Sequence, residues 1–273
     1  LIAVAELCQM IDSADLRIVD CRFDLSALSA GLDDYHRGHI PGAVYADLER
    51  DLSGPPTTDR GRHPLPPPAR LIETFSYLGI SRGDQVVIYD DAGGIYAARV
   101  WWMLCYLGHN AAAVLDGGWR AWVASGSAIE AGENRASKAE FSGRAQRSQL
   151  VTIDEIDNPE KLIDARDPQR YRGEIEPLDL RAGHIPGARN HFFKDNLDGE
   201  GFFLTPAALK QAFTTTLGKL PDSTAVHYCG SGVSACHNIL AQSHAGLDRP
   251  RLYCGSWSEW CADPERPIAV GER

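Results

Sequence analysis

The chain has 273 residues, 44% hydrophobic and 23% charged, and Asp and Glu outnumber Lys and Arg by 37 to 27 for a net charge of −10 at neutral pH. This is the composition of one large or two modest globular domains, which excludes a disulfide-stapled miniprotein and a disordered chain, and an acidic balance with no basic block makes nucleic acid an unexpected partner. No apolar run reaches the roughly 20 residues of a membrane span, and 7 cysteines without a CxxC pair suit a reducing compartment, so a cytoplasmic location and no membrane partner are expected, with any leader before Leu1 left open.

In chain order, the first feature is the apolar run Ile18-Val19-Asp20-Cys21-Arg22, a strand ending in Asp-x-Arg. His39-Ile40-Pro41-Gly42-Ala43 follows, and then residues 53–68, rich in Pro, Gly and Thr, which read as an extra loop. Val86 to Tyr89 is a second short β-branched run, and it leads through a glycine-bearing turn into a helical pattern over 97–107. Gly117-Gly118-Trp119-Arg120-Ala121-Trp122 closes this half.

The same order then recurs. Leu162-Ile163-Asp164-Ala165-Arg166 answers the first strand, and His184-Ile185-Pro186-Gly187-Ala188 repeats the Pro-Gly segment. A strand over 224–228, a helical pattern over 234–244 and Gly255-Ser256-Trp257-Ser258-Glu259-Trp260 complete the copy. Strand, loop and helix in alternation imply a parallel sheet covered on both faces. The fold class is therefore α/β with two tandem domains, 1–125 and 150–273, joined by a polar linker over 126–149.

The copies differ in chemistry at one turn. After Tyr89 the first carries Asp90-Asp91-Ala92-Gly93-Gly94-Ile95-Tyr96, whereas after Tyr228 the second carries Cys229-Gly230-Ser231-Gly232-Val233-Ser234-Ala235. A Cys at the carboxyl end of a parallel strand, followed by glycines and a helix start, lies among converging backbone N–H groups that stabilise a thiolate. Cys229 is thus the candidate nucleophile. Cys8, Cys21, Cys105, Cys236, Cys254 and Cys261 read as small buried hydrophobes. A Cys-dependent phosphatase needs an Arg six positions after its nucleophile, and Ala235 stands there. The recurrence of His39 and His184 in both copies marks them as turn-holding, and the paired tryptophans as packing. The cysteines and histidines lack zinc-ligand spacing.

With these motifs the chain resembles the tandem rhodanese-domain sulfurtransferases over nearly its whole length, and the Cys229 loop is similar to that of their 3-mercaptopyruvate branch. The resemblance implies two rhodanese folds and a persulfide on Cys229, with Gly230, Gly232, Val233, Ser234 and Ala235 surrounding the substrate sulfur. It implies a small-molecule sulfur donor, a thiol acceptor such as thioredoxin, or cyanide, and no metal or organic cofactor. Neutral Gly230 and Ser231 favour mercaptopyruvate over dianionic thiosulfate, and Arg170 matches the Arg that grips the donor's carboxylate or keto oxygen. The branch's second substrate Arg falls at Asp179, which leaves Arg172 and Arg181 as the neighbouring cations. A Ser–His–Asp relay maps onto Ser231, His63 and either Asp51 or Glu49, and Tyr96 resembles a Tyr that faces the persulfide. The rival readings are thiosulfate:cyanide sulfurtransferase and a non-catalytic binding or regulatory module.

Overall fold

The computed structural model describes residues 1–57 and 60–272, which form two compact units. The first comprises Leu1–Gly54, Pro66–Gln146 and Glu200–Phe202; the second comprises Pro55–Leu65, Arg147–Gly199 and Phe203–Arg273. The Pro-rich excursion expected as an extra loop of the first copy therefore belongs, over 55–65, to the second unit.

The first unit runs α1 (Val4–Met10), β1 (Leu16–Asp20), α2 (Ala30–Arg37), β2 (Val44–Tyr45), α3 (Pro68–Tyr77), β3 (Gln85–Tyr89), α4 (Ile95–Tyr106), β4 (Ala112–Val114) and α5 (Gly118–Ala124). Its strands pair in parallel in the order β2-β1-β3-β4. The second unit runs β5 (Leu150–Val151), β6 (Leu162–Asp164), α6 (Pro168–Tyr171), β7 (Arg189–Asn190), α7 (Pro206–Leu217), β8 (Val226–Tyr228), α8 (Ser234–His244), β9 (Arg251–Tyr253) and α9 (Ser256–Trp260). Its parallel order is β5-β9-β8-β6-β7. Among the described residues no helix is long and apolar enough to cross a membrane.

The repeated motifs carry the same physical work twice. Arg22 donates to Asp20 and to the Gly38 carbonyl, both at 2.6 Å, and its guanidinium stacks 4.6 Å from the Trp119 ring. In the second unit Arg166 donates to Asp164 and to the Gly183 carbonyl, both at 2.7 Å, and stacks 4.8 Å from Trp257. Each Asp-x-Arg thus closes a strand end with a charge that is paired, hydrogen-bonded and covered by an indole, as a buried ion must be. His39 Nδ1 lies 2.8 Å from the Tyr35 carbonyl and its ring stacks on Tyr35; His184 repeats this on Tyr171, also at 2.8 Å. Both histidines hold turns.

The central strands β3 and β8 are buried along nearly their whole length, and the helices that follow them, α4 and α8, are buried around most of their circumference. Helices covered on all sides have no solvent face to mark with charge, which explains the apolar run in α4.

Two expectations are corrected. Residues 126–146 do not hang as a linker: Glu130 forms an antiparallel bridge with His39, and the Ala139 and Phe141 amides donate to the carbonyl and hydroxyl of Ser76 at 3.0 and 3.1 Å. Phe141 is buried against Phe75. The segment's polar composition hid it, because backbone groups make most of these bonds. Ser76→Ala is expected to destabilise the first unit by about 1–2 kcal/mol in denaturant unfolding, since it strands the buried Phe141 amide; unchanged stability counts against this docking. The second correction is Cys8, which is exposed, its sulfur 3.5 Å from Ser127 Oγ. The other cysteines are buried.

Candidate active site

β8 lies between β9 and β6, so its carboxyl end delivers Cys229 to the middle of the sheet's edge, where open α/β sheets gather ligands. The loop that follows is clamped from both sides. Cys229 donates its amide to Ser256 Oγ at 3.1 Å, while the carbonyls of Cys229 and Gly230 accept from the Trp257 and Ser258 amides at 2.9 Å each. Ser256 adopts a left-handed φ of 58°, a strained conformation for a residue with a side chain, and its hydroxyl also donates to the Tyr253 carbonyl at 2.9 Å. Gly232 turns back at φ 78° and its N–H donates to Cys229 Sγ at 3.1 Å. Cys229 is 1% exposed, and Ser231, Val233 and Ala235 are buried with it, while Ser234 begins α8.

The equivalent turn of the first unit shows what this geometry is made to hold. Asp90 follows β3 as Cys229 follows β8, and its carboxylate accepts from the amides of Ala92, Gly94, Tyr96 and Ala97 at 2.8–2.9 Å. Burial pushes the Asp90 carboxyl above its ordinary value, opposed by those amides, which favour the charge. The turn after β3 thus cradles an anion, and the turn after β8 brings the Gly232 amide to Cys229 Sγ in the equivalent place.

Three side chains converge on the Cys229 loop within the second unit. His63 Nδ1 lies 2.7 Å from Ser231 Oγ. Arg62 and Arg170 lie over Gly230: a Cβ there would stand 3.0 Å from Arg62 Nη2 and 3.5 Å from Arg170 Nη1. The 55–65 excursion is fixed by the Arg62 amide, which donates to Ser258 Oγ at 3.1 Å, and by Gly61, whose φ of 79° and backbone approach leave no room for a Cβ, 2.5 Å from Ser258 Oγ.

Both guanidiniums are tied to carboxylates. Arg170, on α6, donates to Glu176 at 2.7 Å and to Asp179 at 2.9 Å, and Arg62 pairs with the other oxygen of Asp179. Glu176 also pairs with Arg166 at 3.3 Å and accepts from the Leu178 and Asp179 amides at 3.1 Å.

The second cation beside Arg170 is therefore Arg62, which sequence reasoning missed although it precedes His63. Neither Arg172 nor Arg181 fills that role: Arg172 pairs with Glu174 at 2.7 Å, and Arg181 donates to the Cys261 carbonyl at 2.8 Å and to that of Asp263. Asp51 belongs to the first unit, where its carboxylate accepts from the Asp47 amide at 2.9 Å and from Arg50 at 2.7 Å. The alternative carboxylate, Glu49, donates its amide to Asp47 at 2.9 Å in the same unit. Tyr96 is also in the first unit, edge-on to Phe23 at 5.6 Å, with burial raising its phenol above the ordinary value.

The two units have counterparts among known proteins. Residues 3–125 and 149–263 each match the rhodanese-like domain family. The chain is 47% identical, over 100% of its length and 98% of the relative's, to a probable 3-mercaptopyruvate sulfurtransferase of Pseudomonas aeruginosa. It is 40% identical, over 99% of its length and 97% of the relative's, to a putative thiosulfate sulfurtransferase of Mycobacterium tuberculosis. Among solved structures, the 3-mercaptopyruvate sulfurtransferase of Leishmania major superposes with a TM-score of 0.85 at 35% identity, covering 96% of this chain and 75% of that one.

Proposed function

The chain belongs to the rhodanese-like family and is a sulfurtransferase, and from that premise we propose that it takes sulfur from 3-mercaptopyruvate on Cys229 and passes it to a thiol or to cyanide. The observation that carries this reading is the pairing of a cradled cysteine with two arginines over the same loop. Cys229 sulfur accepts the Gly232 amide, and Arg62 and Arg170 flank Gly230 next to it.

The Cys229 thiolate attacks the donor's sulfur. The carbon–sulfur bond breaks, and its electron pair leaves on carbon as the enolate of pyruvate. The enolate takes up, at that carbon, the proton the donor thiol brought in, so thiolate and mercaptopyruvate become persulfide anion and pyruvate with atoms and charge conserved. Ser231, hydrogen-bonded to His63 at 2.7 Å, hands that proton on. Arg170 and Arg62 hold the donor's carboxylate through paired N–H donors, which orients the sulfur toward Cys229. In the second half-reaction an acceptor thiol such as that of thioredoxin attacks the outer sulfur, leaving a new persulfide on the acceptor and the Cys229 thiolate; cyanide leaves as thiocyanate. Covalent capture followed by release makes the kinetics ping-pong.

Thiosulfate is the competing donor, favoured by the two guanidiniums and by the mycobacterial relative's name. Steady-state kcat/KM for the two donors with one acceptor decides between them. Mercaptopyruvate is expected to exceed thiosulfate by at least about tenfold, a difference of about 1.4 kcal/mol in transition-state binding. A preference for thiosulfate reverses the donor assignment, and turnover of neither returns the chain to a non-catalytic role.

A further inference from the structure

A loop with neutral residues after its nucleophile suggests a site poor in charge, but the surroundings of Gly230 are dense with it. Arg62, Arg166 and Arg170 face Asp164, Glu176 and Asp179 in ion pairs, so the cluster is electrically balanced before any donor arrives. The two outer carboxylates are held differently. Glu176 is bound by two arginines and by two amides of its own segment. Asp179 bonds Arg62 and Arg170 through its carboxylate, and its neighbours Leu178 and Leu180 are 48% and 82% exposed, which leaves that stretch without an apolar anchor.

We propose that Asp179 is a tethered counter-ion that selects donors by charge: it occupies the Arg62–Arg170 clamp in the free protein, and a donor's single carboxylate exchanges with it. This rests on the reading of Arg62 and Arg170 as the donor clamp. Exchange of one carboxylate for another keeps the cluster balanced once Asp179 has swung out of it. On the same count a dianion leaves one surplus negative charge beside Glu176, where burial leaves repulsion only partly screened. The site thereby rejects thiosulfate through an unfavourable element as well as accepting mercaptopyruvate through a favourable one. Asp179 touches the clamp and not the reacting sulfur, so it is a specificity-determining residue.

The experiment measures kcat/KM for both donors with the unmodified protein and with Asp179→Asn, alongside the intact mass of the persulfide. The substitution is expected to raise the thiosulfate-to-mercaptopyruvate ratio about tenfold or more and to lower the mercaptopyruvate KM with little change in kcat. A ratio within about twofold of the unmodified protein, with the persulfide still forming on Cys229, overturns the counter-ion role and leaves the sulfurtransferase reading intact. Failure of the unmodified protein to form a Cys229 persulfide with either donor overturns the underlying reading instead. Should Asp179→Asn not fold, the unmodified protein supplies the test through two planar acids of similar size. Pyruvate is expected to inhibit persulfide formation at concentrations about tenfold lower than oxalate, and equal or stronger inhibition by oxalate overturns the proposal.

Discussion

Cys229→Ser is expected to abolish the added-sulfur mass that the unmodified protein acquires from its donor, and with it all turnover. The hydroxyl that replaces the thiol is a weak nucleophile without an activating base, so cradle and clamp remain with nothing to capture sulfur. The remaining cysteines offer no substitute. Cys21 and Cys261 have thiols pushed up by burial, and Cys21 also faces Asp90, so neither is poised as a thiolate. Cys105 and Cys236 lie within α4 and α8 rather than at the turn after β8, Cys254 follows the neighbouring strand β9, and the exposed Cys8 lies beside Ser127 on the first unit. The first unit's own cradle is already filled by Asp90. Cys8→Ser is therefore expected to retain the full adduct. A sulfur adduct that survives Cys229→Ser and disappears with Cys8→Ser assigns transfer to a surface thiol and ends the Cys229 reading.

The architecture was legible because the chain writes its solution twice. The Asp-x-Arg strand ends, the His-Ile-Pro-Gly segments and the paired tryptophans recur because each copy makes the same contacts, so comparing the two halves of the chain exposes the motifs, while the stacking of Arg on indole and of His on Tyr emerges only in the fold. The chemical difference is legible for the same reason, since Asp90 and Cys229 occupy one position of a shared turn. What stayed hidden depends on contacts made far apart in sequence. Arg62 reaches the loop only because the 55–65 excursion is part of the second unit, and no local pattern announces that. Asp179 looked like a lost cation, yet it binds two cations contributed by other segments. The 126–146 stretch looked like a tether because backbone hydrogen bonds leave no trace in composition.

The clamp also changes how the neutral loop is to be understood. Gly230 is neutral and small because two guanidiniums already stand over it, at 3.0 and 3.5 Å from where a Cβ would be. Putting Arg and Lys at Gly230 and Ser231 to favour thiosulfate then meets both steric and like-charge opposition, and it removes the Ser231 partner of His63. On the proposed reading, the donor's charge is read by residues outside the loop.

Arg170→Ala is accordingly expected to lower kcat/KM for mercaptopyruvate by roughly 100-fold, about 2–3 kcal/mol for a lost charge-assisted pair. Arg170 is the better buried of the two clamp arginines, with its side chain 14% exposed against 30% for Arg62, so its contribution is less diluted by solvent and the Arg62→Ala loss is expected to be smaller. Removing Arg170 leaves Glu176 with Arg166 and two amides, and leaves Asp179 with Arg62, so the carboxylates keep partners and the loss is read in kinetics more than in folding. Arg170→Lys keeps the charge without the planar fork and is expected to recover only part of the activity. Because both arginines hold one carboxylate, the double substitution is expected to fall short of the summed single effects. Intact-mass analysis of persulfide formation over time separates slow capture from lost capture. A variant Arg170→Ala that remains folded and turns over mercaptopyruvate within about twofold of the unmodified protein assigns the donor's carboxylate elsewhere and removes the clamp on which the Asp179 selection depends.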